Sequence, residues 1–397
     1  MPRRLVLGLG VTQIISWGAL IYAIAVLGSP MAEELGVSRT VVFGAFSASL
    51  VVSGLAGPRV GRLIDRRGGR NLLALGSIGA AISLALIAFA PGVASFFLAW
   101  LLAGIARAMT LYEAAFATLS QHTAKAFRNS VTALTLLGGL AGTVFFPLSL
   151  FGLEHLGWRG TLLTYAAAEL LLCLPLHLWC IPHGIEHRVA ETQDATSAAA
   201  ANRAPRPPAS FAALSTSFAL SAFITSAISV HVINLLQVRG LSVGTAVFVA
   251  SLIGPMQVAG RLVELAFGRR FPAVAIGAAT LVLLVLSLLS LSAAGGMAIA
   301  LAFALSYGCA NGVQTIVRGT VPAELFGREG YGHTVGRLAA PSFIARAVAP
   351  IGLTLVAAPQ LGVDLSVPVL VLVAALALVT YLVAVRHWLR PARATAG

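Results

Sequence analysis

Long stretches without a charged residue dominate the hydrophobic pattern of this 397-residue chain. Five of them run Leu5–Ala32, Asn71–Ala106, Pro207–Val238, Phe271–Val317 and Leu365–Val385. Each exceeds the roughly 18 residues that indicate a transmembrane helix. The apolar positions are continuous rather than strictly alternating, which favours helices over the strands of a membrane barrel. The pattern therefore predicts an all-α membrane protein.

Proline and glycine breaks such as Pro91-Gly92 divide the longer stretches into about twelve helices of roughly 20 residues. The first six start near Leu5, Thr40, Asn71, Val93, Ser130 and Gly160. The second six start near Ala212, Gly244, Pro272, Met297, Thr334 and Leu365. Residues 183–210 between the two sets are polar and rich in Ala, Pro, Thr and Ser, which is typical of a mobile linker. We predict an N-terminal six-helix bundle at 1–182, a cytoplasmic linker at 183–210 and a C-terminal six-helix bundle at 211–397.

Composition and charge exclude several classes of protein. Only 10% of the residues are charged and 58% are hydrophobic, whereas soluble proteins carry about 25% charged residues. This excludes a cytosolic enzyme, a secreted module and a disordered chain. The net charge of +13 would suggest nucleic acid for a soluble domain, but here the cations lie in loops between the predicted helices.

The distribution of Lys and Arg predicts the orientation. Twenty of the 26 lie on the side of the chain termini, three lie on the other side, and three lie within helices. The positive-inside rule then places both termini in the cytoplasm. We expect a multi-pass, monomeric protein of the cell (inner) membrane, whose partners are the lipid bilayer, a small-molecule substrate and a proton, with no nucleic acid.

A short repeat relates the two halves of the chain. Gly57-Pro58 is followed by Gly-Arg-Leu-Ile-Asp at 61–65, and Gly254-Pro255 is followed by Gly-Arg-Leu-Val-Glu at 260–264. Both versions end the second helix of their half. A duplicated six-helix unit is typical of transporters.

The longer first-half string, Gly-Arg-Leu-Ile-Asp-Arg-Arg-Gly-Gly-Arg at 61–70, resembles the signature loop of the major facilitator superfamily. The resemblance implies two pseudo-symmetric six-helix bundles and secondary transport by alternating access. It also implies that Asp65, Arg66 and Arg70 act in gating, because such a cluster can latch the cytoplasmic side in one state. The alternative is a positive-inside anchor with an incidental acid.

Other motifs resemble one branch of that superfamily. The turn at 157–159 (Gly-Trp-Arg) and the glycine-rich segment at 325–336 resemble the monocarboxylate and oxalate/formate porters. The helix-five motif of many drug exporters includes a Gly-Pro pair, whereas here Phe146 precedes Pro147. The branch therefore implies an organic anion rather than a drug as substrate.

Ionisable residues inside membrane helices are costly and often functional. Arg107, near the middle of helix four, is the first candidate for binding an anionic substrate, because a guanidinium stays charged and binds a carboxylate with two prongs. The alternative is a permanent pair with an acid. Arg346 in helix eleven is the second candidate, four residues before Pro350, a proline that bends the helix.

Three further ionisable residues suit gating or coupling. Glu113 and Arg318 occupy neighbouring positions when the two halves are aligned, and they could form a gate that opens and closes. Alternatively, Arg318 snorkels to the headgroups or pairs with Glu324. Glu169 in helix six could carry a proton if it is buried, although such a residue more often pairs with an arginine.

Uncharged polar residues mark the first helix of each half. Gln13, Trp17 and Tyr22 in helix one and Asn234 in helix seven are candidate substrate contacts. Hydroxyl residues on the same helices are more often used for packing.

These observations predict a secondary active transporter for a small, monocarboxylate-like organic anion, driven by protons or by exchange. The alternative is efflux of drugs or amphiphiles by proton antiport. We predict no enzymatic activity, because the chain has no HExxH string and no phosphate-binding loop. The three cysteines lack metal-ligand spacing, so no metal or cofactor is expected. A receptor that does not transport remains open.

Overall fold

The computed structural model describes residues 3–123, 126–183, 208–292, 296–356 and 365–389, and these residues are almost entirely helical. Eleven segments within them are long and apolar enough to cross a membrane. The longest has 54 residues, Phe127–Cys180, and contains Gly157, where φ of 67° and ψ of 175° interrupt the helix. This segment therefore comprises two helices, and the described residues form twelve membrane helices.

The helices are numbered in chain order. The first six are α1 (Arg3–Glu34), α2 (Arg39–Arg67), α3 (Gly69–Ala88), α4 (Val93–His122), α5 (127–156) and α6 (158–180). The second six are α7 (Pro208–Val238), α8 (Val243–Arg270), α9 (Ala273–Ser292), α10 (Met297–Phe326), α11 (Tyr331–Val356) and α12 (Ser366–Leu389). Each begins within four residues of its predicted start, which confirms the all-α membrane fold.

The chain divides into two compact units. The first contains Met1–Ala190 together with Arg328–Phe343, and the second contains Glu191–Gly327 together with Ile344–Gly397. The first part of α11 thus belongs to the N-terminal unit, which the sequence pattern did not suggest. The predicted linker at 183–210, apart from its two ends, lies outside the described residues. The division into 1–182 and 211–397 stays a prediction.

Equivalent helices pack in the same way inside each unit. In the first unit α4 packs against α2 and α3, and α3 against α6; in the second, α10 packs against α8 and α9, and α9 against α12. Gly104 in α4 and Gly308 in α10 allow two of these close approaches, because a Cβ on either would collide with the backbone of α2 or α8. The repeat seen in the sequence thus extends to the packing.

Large apolar side chains cover much of the outer surface. Leu98, Leu171 and Leu355 are 67%, 72% and 73% exposed, and many other aliphatic side chains are exposed in the same way. Water disfavours such a surface, whereas lipid tails solvate it well. Together with the twelve apolar helices, this surface defines a multi-pass membrane protein.

Several helices contain an irregular turn. α1 has a π-helical turn at Gly18–Tyr22, and α6 has one at Glu169–Cys173. α4 is interrupted at Leu111, whose ψ of −170° is extended. Such interruptions redirect backbone carbonyls and are frequent at functional sites. The π-turn of α6 begins at Glu169, and the interruption of α4 at Leu111 lies two residues before Glu113; both acids are candidates from the sequence.

The turn between α5 and α6 is held by a cluster at one end of the first unit. Trp158 Nε1 donates to Glu34 Oε2 at 2.6 Å, and Arg159 Nε donates to Glu34 Oε1 at 2.7 Å. Arg159 also donates to the carbonyl of Ala88. The start of α6 is therefore attached to the ends of α1 and α3, and Gly157 supplies the backbone conformation that this arrangement needs.

We expect Gly157→Ala to destabilise the purified protein. A positive φ combined with a ψ near 180° is accessible almost only to glycine, and forcing another residue into it costs about 1–3 kcal/mol. Gly44→Ala is the matched control, because Gly44 is helical and its added Cβ would meet nothing within 4 Å. The measurement is thermal unfolding in detergent. Equal melting temperatures for the two variants would contradict the expectation.

Candidate functional site

Arg107 lies on α4 with its side chain completely buried inside the first unit. Its guanidinium donates to Ser49 Oγ of α2 at 2.8 Å and to the Leu20 carbonyl of α1 at 2.6 Å. The ring of Phe46 lies 5.0 Å from the guanidinium carbon. All of these partners are neutral, and no carboxylate pairs with Arg107 among the residues that the structure describes.

The Leu20 carbonyl reaches Arg107 because α1 is π-helical at this point. Within Gly18–Tyr22 the hydrogen bonds reach one residue further, as in the bond from the Ala23 N–H to the Gly18 carbonyl. A π-turn tilts carbonyls away from the helix axis and makes them available to other donors. The irregular turn thus supplies an acceptor for a charge that would otherwise be buried with fewer partners.

Glu169 is the acidic counterpart of Arg107 in the same unit and is also completely buried. Its Oε1 accepts a hydrogen bond from Ser16 Oγ of α1 at 2.8 Å, and its Oε2 has no hydrogen-bond partner. Ser16 and Leu20 are one turn apart on α1, so Arg107 and Glu169 both bind the same helix at adjacent levels. The alternatives stated from the sequence were an acid partner for Arg107 and an arginine partner for Glu169. In the described part of the chain, neither residue has such a partner.

A buried histidine completes the polar interior of this unit. His177 of α6 is fully buried, with Nδ1 3.1 Å from Ser77 Oγ of α3 and Nε2 3.1 Å from Thr12 Oγ1 of α1. The sequence pattern places His177 only near the inner end of helix six. His177 follows Glu169 by eight residues, a spacing that points to different sides of a regular α-helix. The sequence therefore gives no sign that the two share a face unless the π-turn at Glu169–Cys173 is known.

Gln13 has a structural partner at the interruption of α4. Its Nε2 donates to the Thr110 carbonyl at 2.7 Å, and this carbonyl is free because the helix breaks at the next residue, Leu111. Gln13 is fully buried and its Oε1 has no partner. The Nε2 of Gln13 therefore supplies the donor that the Thr110 carbonyl lacks within its helix, and the Oε1 of Gln13 is left as an unused acceptor.

Trp17 and Tyr22 belong to an aromatic cluster beside the π-turn of α1. The Trp17 ring lies 4.9 Å from the ring of Tyr112 in α4 and 6.2 Å from that of Tyr22. Tyr22 in turn lies 5.5 Å from Phe146 of α5. Trp17 and Tyr22 are both half-buried. The cluster forms an apolar surface whose polar groups are the indole N–H of Trp17 and the hydroxyl of Tyr22.

The second unit places Arg346 at a bend in α11. Pro350 has no N–H, so the carbonyl of Arg346, four residues earlier, lacks its donor within the helix. Ser226 Oγ of α7 donates to that carbonyl at 2.9 Å, and His231 Nε2 lies 3.1 Å from the Pro350 carbonyl. The Arg346 side chain is half-buried. α7 thus binds the bend directly, with residues that the sequence pattern did not connect to Pro350.

A small polar cavity lies within the second unit. It is lined by Ser221, Thr225, Thr280, Leu284, Ala310, Asn311 and Gln314. Gln314 is only 4% exposed, and neither of its amide atoms has a hydrogen-bond partner. Thr225 Oγ1 lies 3.1 Å from Asn311 Oδ1. Asn234, the predicted contact on α7, is exposed and does not line this cavity.

Asp65 of the signature loop binds the N-terminus of α11. Its Oδ1 accepts from the Gly332 N–H at 2.8 Å, and its Oδ2 accepts from the His333 N–H at 2.7 Å. The first N–H groups of a helix have no partner within the helix and favour a negative charge. The two backbones approach closely because Gly61 faces Gly332, and a Cβ on Gly61 would collide with it.

The other gating candidates have different environments. Arg70 donates through Nε and Nη2 to the Leu178 carbonyl in the last turn of α6, at 2.9 and 2.5 Å. Arg66 is exposed. Glu113 belongs to the first unit and Arg318 to the second, so their pairing stays a prediction. No cluster of three or more His, Cys, Asp or Glu side chains that could hold a metal occurs among the described residues.

The fold and these buried charges define a class: a multi-pass membrane protein whose helices repeat in two sets and enclose ionisable groups. A family model described as Major Facilitator Superfamily matches residues 9–350. The chain belongs to this superfamily of transporters.

Solved structures share the fold. The chain is similar to the crystal structure of the human organic anion transporter MFSD10 (TETRAN), with 19% identity, a TM-score of 0.69, and coverage of 96% of this chain and 99% of that one. It is also similar to the proton:xylose symporter XylE bound to 6-bromo-6-deoxy-D-glucose, with 13% identity, a TM-score of 0.74, and coverage of 98% and 96%. No curated protein sequence matches the chain. Identities this low show the common fold alone.

We expect Asp65→Ala to expose the start of α11 to hydrogen exchange. Each charge-assisted hydrogen bond contributes about 1.5–3 kcal/mol, so exchange at the amides of Gly332 and His333 should become at least roughly tenfold faster. Arg67→Ala is the control, because Arg67 is exposed and adjoins the same loop. The measurement is hydrogen–deuterium exchange with mass spectrometry on peptides covering 328–343. Unchanged exchange in Asp65→Ala would contradict the capping role.

Proposed function

We propose that this protein is a secondary active transporter that moves a small, monocarboxylate-like organic anion across the membrane by alternating access. Transport is driven by protons or by exchange. The protein works as a monomer in the cell (inner) membrane, with both termini in the cytoplasm, as the distribution of Lys and Arg favours.

The observation that carries this proposal is the buried charge of Arg107. A guanidinium without a carboxylate partner is unfavourable in a low-dielectric interior, and the neutral partners Ser49 and Leu20 offset this cost only in part. An anionic substrate supplies the missing charge and fits the two-pronged guanidinium. Binding requires that the bonds to Ser49 and Leu20 be exchanged for bonds to the substrate, which ties substrate binding to a rearrangement of α1 and α2.

Further substrate contacts come from both units. Gln13, Trp17 and Tyr22 lie on the helix that Arg107 binds, and the free Oε1 of Gln13 and the aromatic cluster are suited to the polar and apolar parts of a small acid. Arg346 and Asn234 are the contacts proposed for the second unit. The organic anion transporter among the structural neighbours is consistent with this substrate class.

Gating and coupling rest on the remaining charged residues. Asp65, with Arg66 and Arg70, latches the start of α11 and the end of α6, and release of this latch accompanies the change of state. Glu113 and Arg318 form a second, breakable gate. Glu169 carries the coupling proton, because a buried carboxyl with a free oxygen and no cationic partner can exist in both the neutral and the charged form.

We expect Arg107→Gln to reduce uptake of the transported anion by roughly ten- to a hundredfold, the range that corresponds to about 1.5–3 kcal/mol for bonds to a charged group. The measurement is uptake of radiolabelled mono- and dicarboxylates by proteoliposomes, with and without a proton gradient. Arg107→Lys should retain part of the uptake activity, because lysine keeps the positive charge but lacks the two parallel N–H donors that bind a carboxylate.

Arg269→Gln is the control for general effects of charge removal, since Arg269 is exposed. Uptake of no carboxylate by the wild-type protein, combined with proton-driven export of hydrophobic dyes, would replace the proposal with drug or amphiphile efflux. Full activity in Arg107→Gln would remove Arg107 from the site.

We expect that exchanging the charges of Glu113 and Arg318 restores the uptake that each single substitution reduces. Glu113→Arg and Arg318→Glu should each reduce uptake severalfold, and the double variant should recover most of it, because the pair is then reversed rather than broken. The measurement is the same uptake assay, normalised to the amount of reconstituted protein. An additive loss in the double variant would show that the two residues do not interact.

A further inference from the structure

The polar side chains of the cavity in the second unit offer mainly hydrogen-bond acceptors. The cavity lies between α7, α9 and α10, and it has room for a single occupant the size of a water molecule. Asn311 is at the middle of the 30-residue α10, and Thr225 is near the middle of the 31-residue α7. The cavity is therefore near the centre of the membrane span, where polar groups without partners are most costly.

Three hydroxyl groups at the cavity use their hydrogens elsewhere. Ser221 Oγ donates to the Ser217 carbonyl at 2.9 Å, and Thr280 Oγ1 donates to the Ile276 carbonyl at 2.7 Å. Thr225 Oγ1 donates to the Ser221 carbonyl at 2.9 Å. Because a hydroxyl group has a single hydrogen, only the lone pairs of these three oxygens remain for the cavity.

Two amide side chains add further oxygens. Gln314 is buried, and its Oε1 and Nε2 both lack a hydrogen-bond partner. Asn311 Oδ1 lies 3.1 Å from Thr225 Oγ1, but the Ser221 carbonyl is the nearer acceptor for the Thr225 hydrogen. Two oxygens this close with no hydrogen between them repel each other unless a positive charge lies beside both. Oxygen acceptors thus outnumber donors in the cavity.

An excess of oxygen acceptors favours a cation over an anion. Hard cations are bound by oxygen ligands in proteins, and neutral oxygens can replace the hydration shell of a monovalent ion. An anion would find only the amide N–H groups of Asn311 and Gln314 as donors. Among the residues that the structure describes, no acid lines the cavity, which does not suit a divalent ion. The side chains therefore fit a monovalent cation.

The first unit has a cation of its own at the equivalent position. A Cβ on Gly104 of α4 or on Gly308 of α10 would collide with the backbone of α2 or α8, respectively, so the two glycines are equivalent. Arg107 and Asn311 each follow three residues later. Arg107 binds a carbonyl of α1, whereas Asn311 is shorter, is uncharged and lies against the hydroxyl of Thr225 in α7. α7 and α10 thus border a cavity rich in acceptors where α1 and α4 hold a guanidinium.

We propose that this cavity binds a small monovalent cation such as sodium. The ligands are the side-chain oxygens of Ser221, Thr225, Thr280, Asn311 and Gln314. Arg318 lies one turn beyond Gln314 on α10, and its like charge keeps the affinity low. The sequence gives no sign of the site, because neutral oxygens form no metal-ligand motif. The inference goes beyond the proposed function, which assigns no cation site.

The test measures binding of radioactive sodium to the purified full-length protein in detergent, without anionic substrate. Choline chloride keeps the ionic strength constant, because choline is too large for the cavity. We expect saturable sodium binding. We also expect a higher melting temperature in sodium than in choline, because a ligand that binds only the folded state stabilises it.

Substitutions at the cavity locate the ion. Gln314→Leu and Thr280→Val should each weaken sodium binding at least roughly tenfold, since each removes an oxygen ligand of a charged group. Thr320→Val is the matched control for Thr280→Val. Thr320 is also buried and donates to the carbonyl four residues earlier in its helix, but it does not line the cavity. Thr280→Val keeps the proposal testable if Gln314→Leu does not fold.

Two results would overturn the proposal. The first is an absence of saturable sodium binding to the wild-type protein, which would leave a water molecule beside a rotated Asn311 amide as the occupant of the cavity. The second is sodium binding that is equal in Thr280→Val and Thr320→Val. Because no substrate is present, neither result depends on the anion uptake that tests the proposed function.

Discussion

The structure depends on one constraint: within hydrocarbon, every backbone carbonyl that leaves its helix must find a donor in another helix. The breaks in these helices follow this rule. Arg107 binds the carbonyl of Leu20 at the π-turn of α1, Gln13 binds that of Thr110 where α4 breaks, and Ser226 binds that of Arg346 below Pro350. Arg107 and Gln13, which the sequence offers as substrate contacts, are thus also supports of irregular backbone.

The first unit concentrates its ionisable groups around α1. Arg107 and Glu169 bind positions one turn apart on this helix, and His177 binds one turn further along. A buried cation and a buried acid that do not pair with each other are each costly, and the cost is lowered when an anion or a proton arrives. Under the proposed function, α1 is the element that connects substrate binding at Arg107 with proton binding at Glu169.

The signature loop illustrates how a local motif acquires its role from a distant partner. The sequence predicts that Asp65 acts in a latch, and this role stays a proposal. In the structure, the two oxygens of Asp65 accept the N–H groups of Gly332 and His333. The partner could not be read from the motif, because 267 residues separate Asp65 from Gly332. The repeat at 260–264 resembles the loop in sequence, yet Arg261 is buried against the Gly312 carbonyl, whereas its equivalent Arg62 is exposed. Similar strings therefore serve different contacts.

The sequence alone determined the number, bounds and repeat of the membrane helices, since span length, apolar continuity and the Pro and Gly breaks are local properties. It also identified Arg107 and Glu169 as costly interior charges. Only the tertiary structure decided that neither has a charged partner, that His177 binds Thr12 and Ser77, and that Gln314 lines a cavity. These facts depend on the rotation of each helix about its axis. A single π-turn changes that rotation by about 100°, and no hydrophobic period in the sequence reports it.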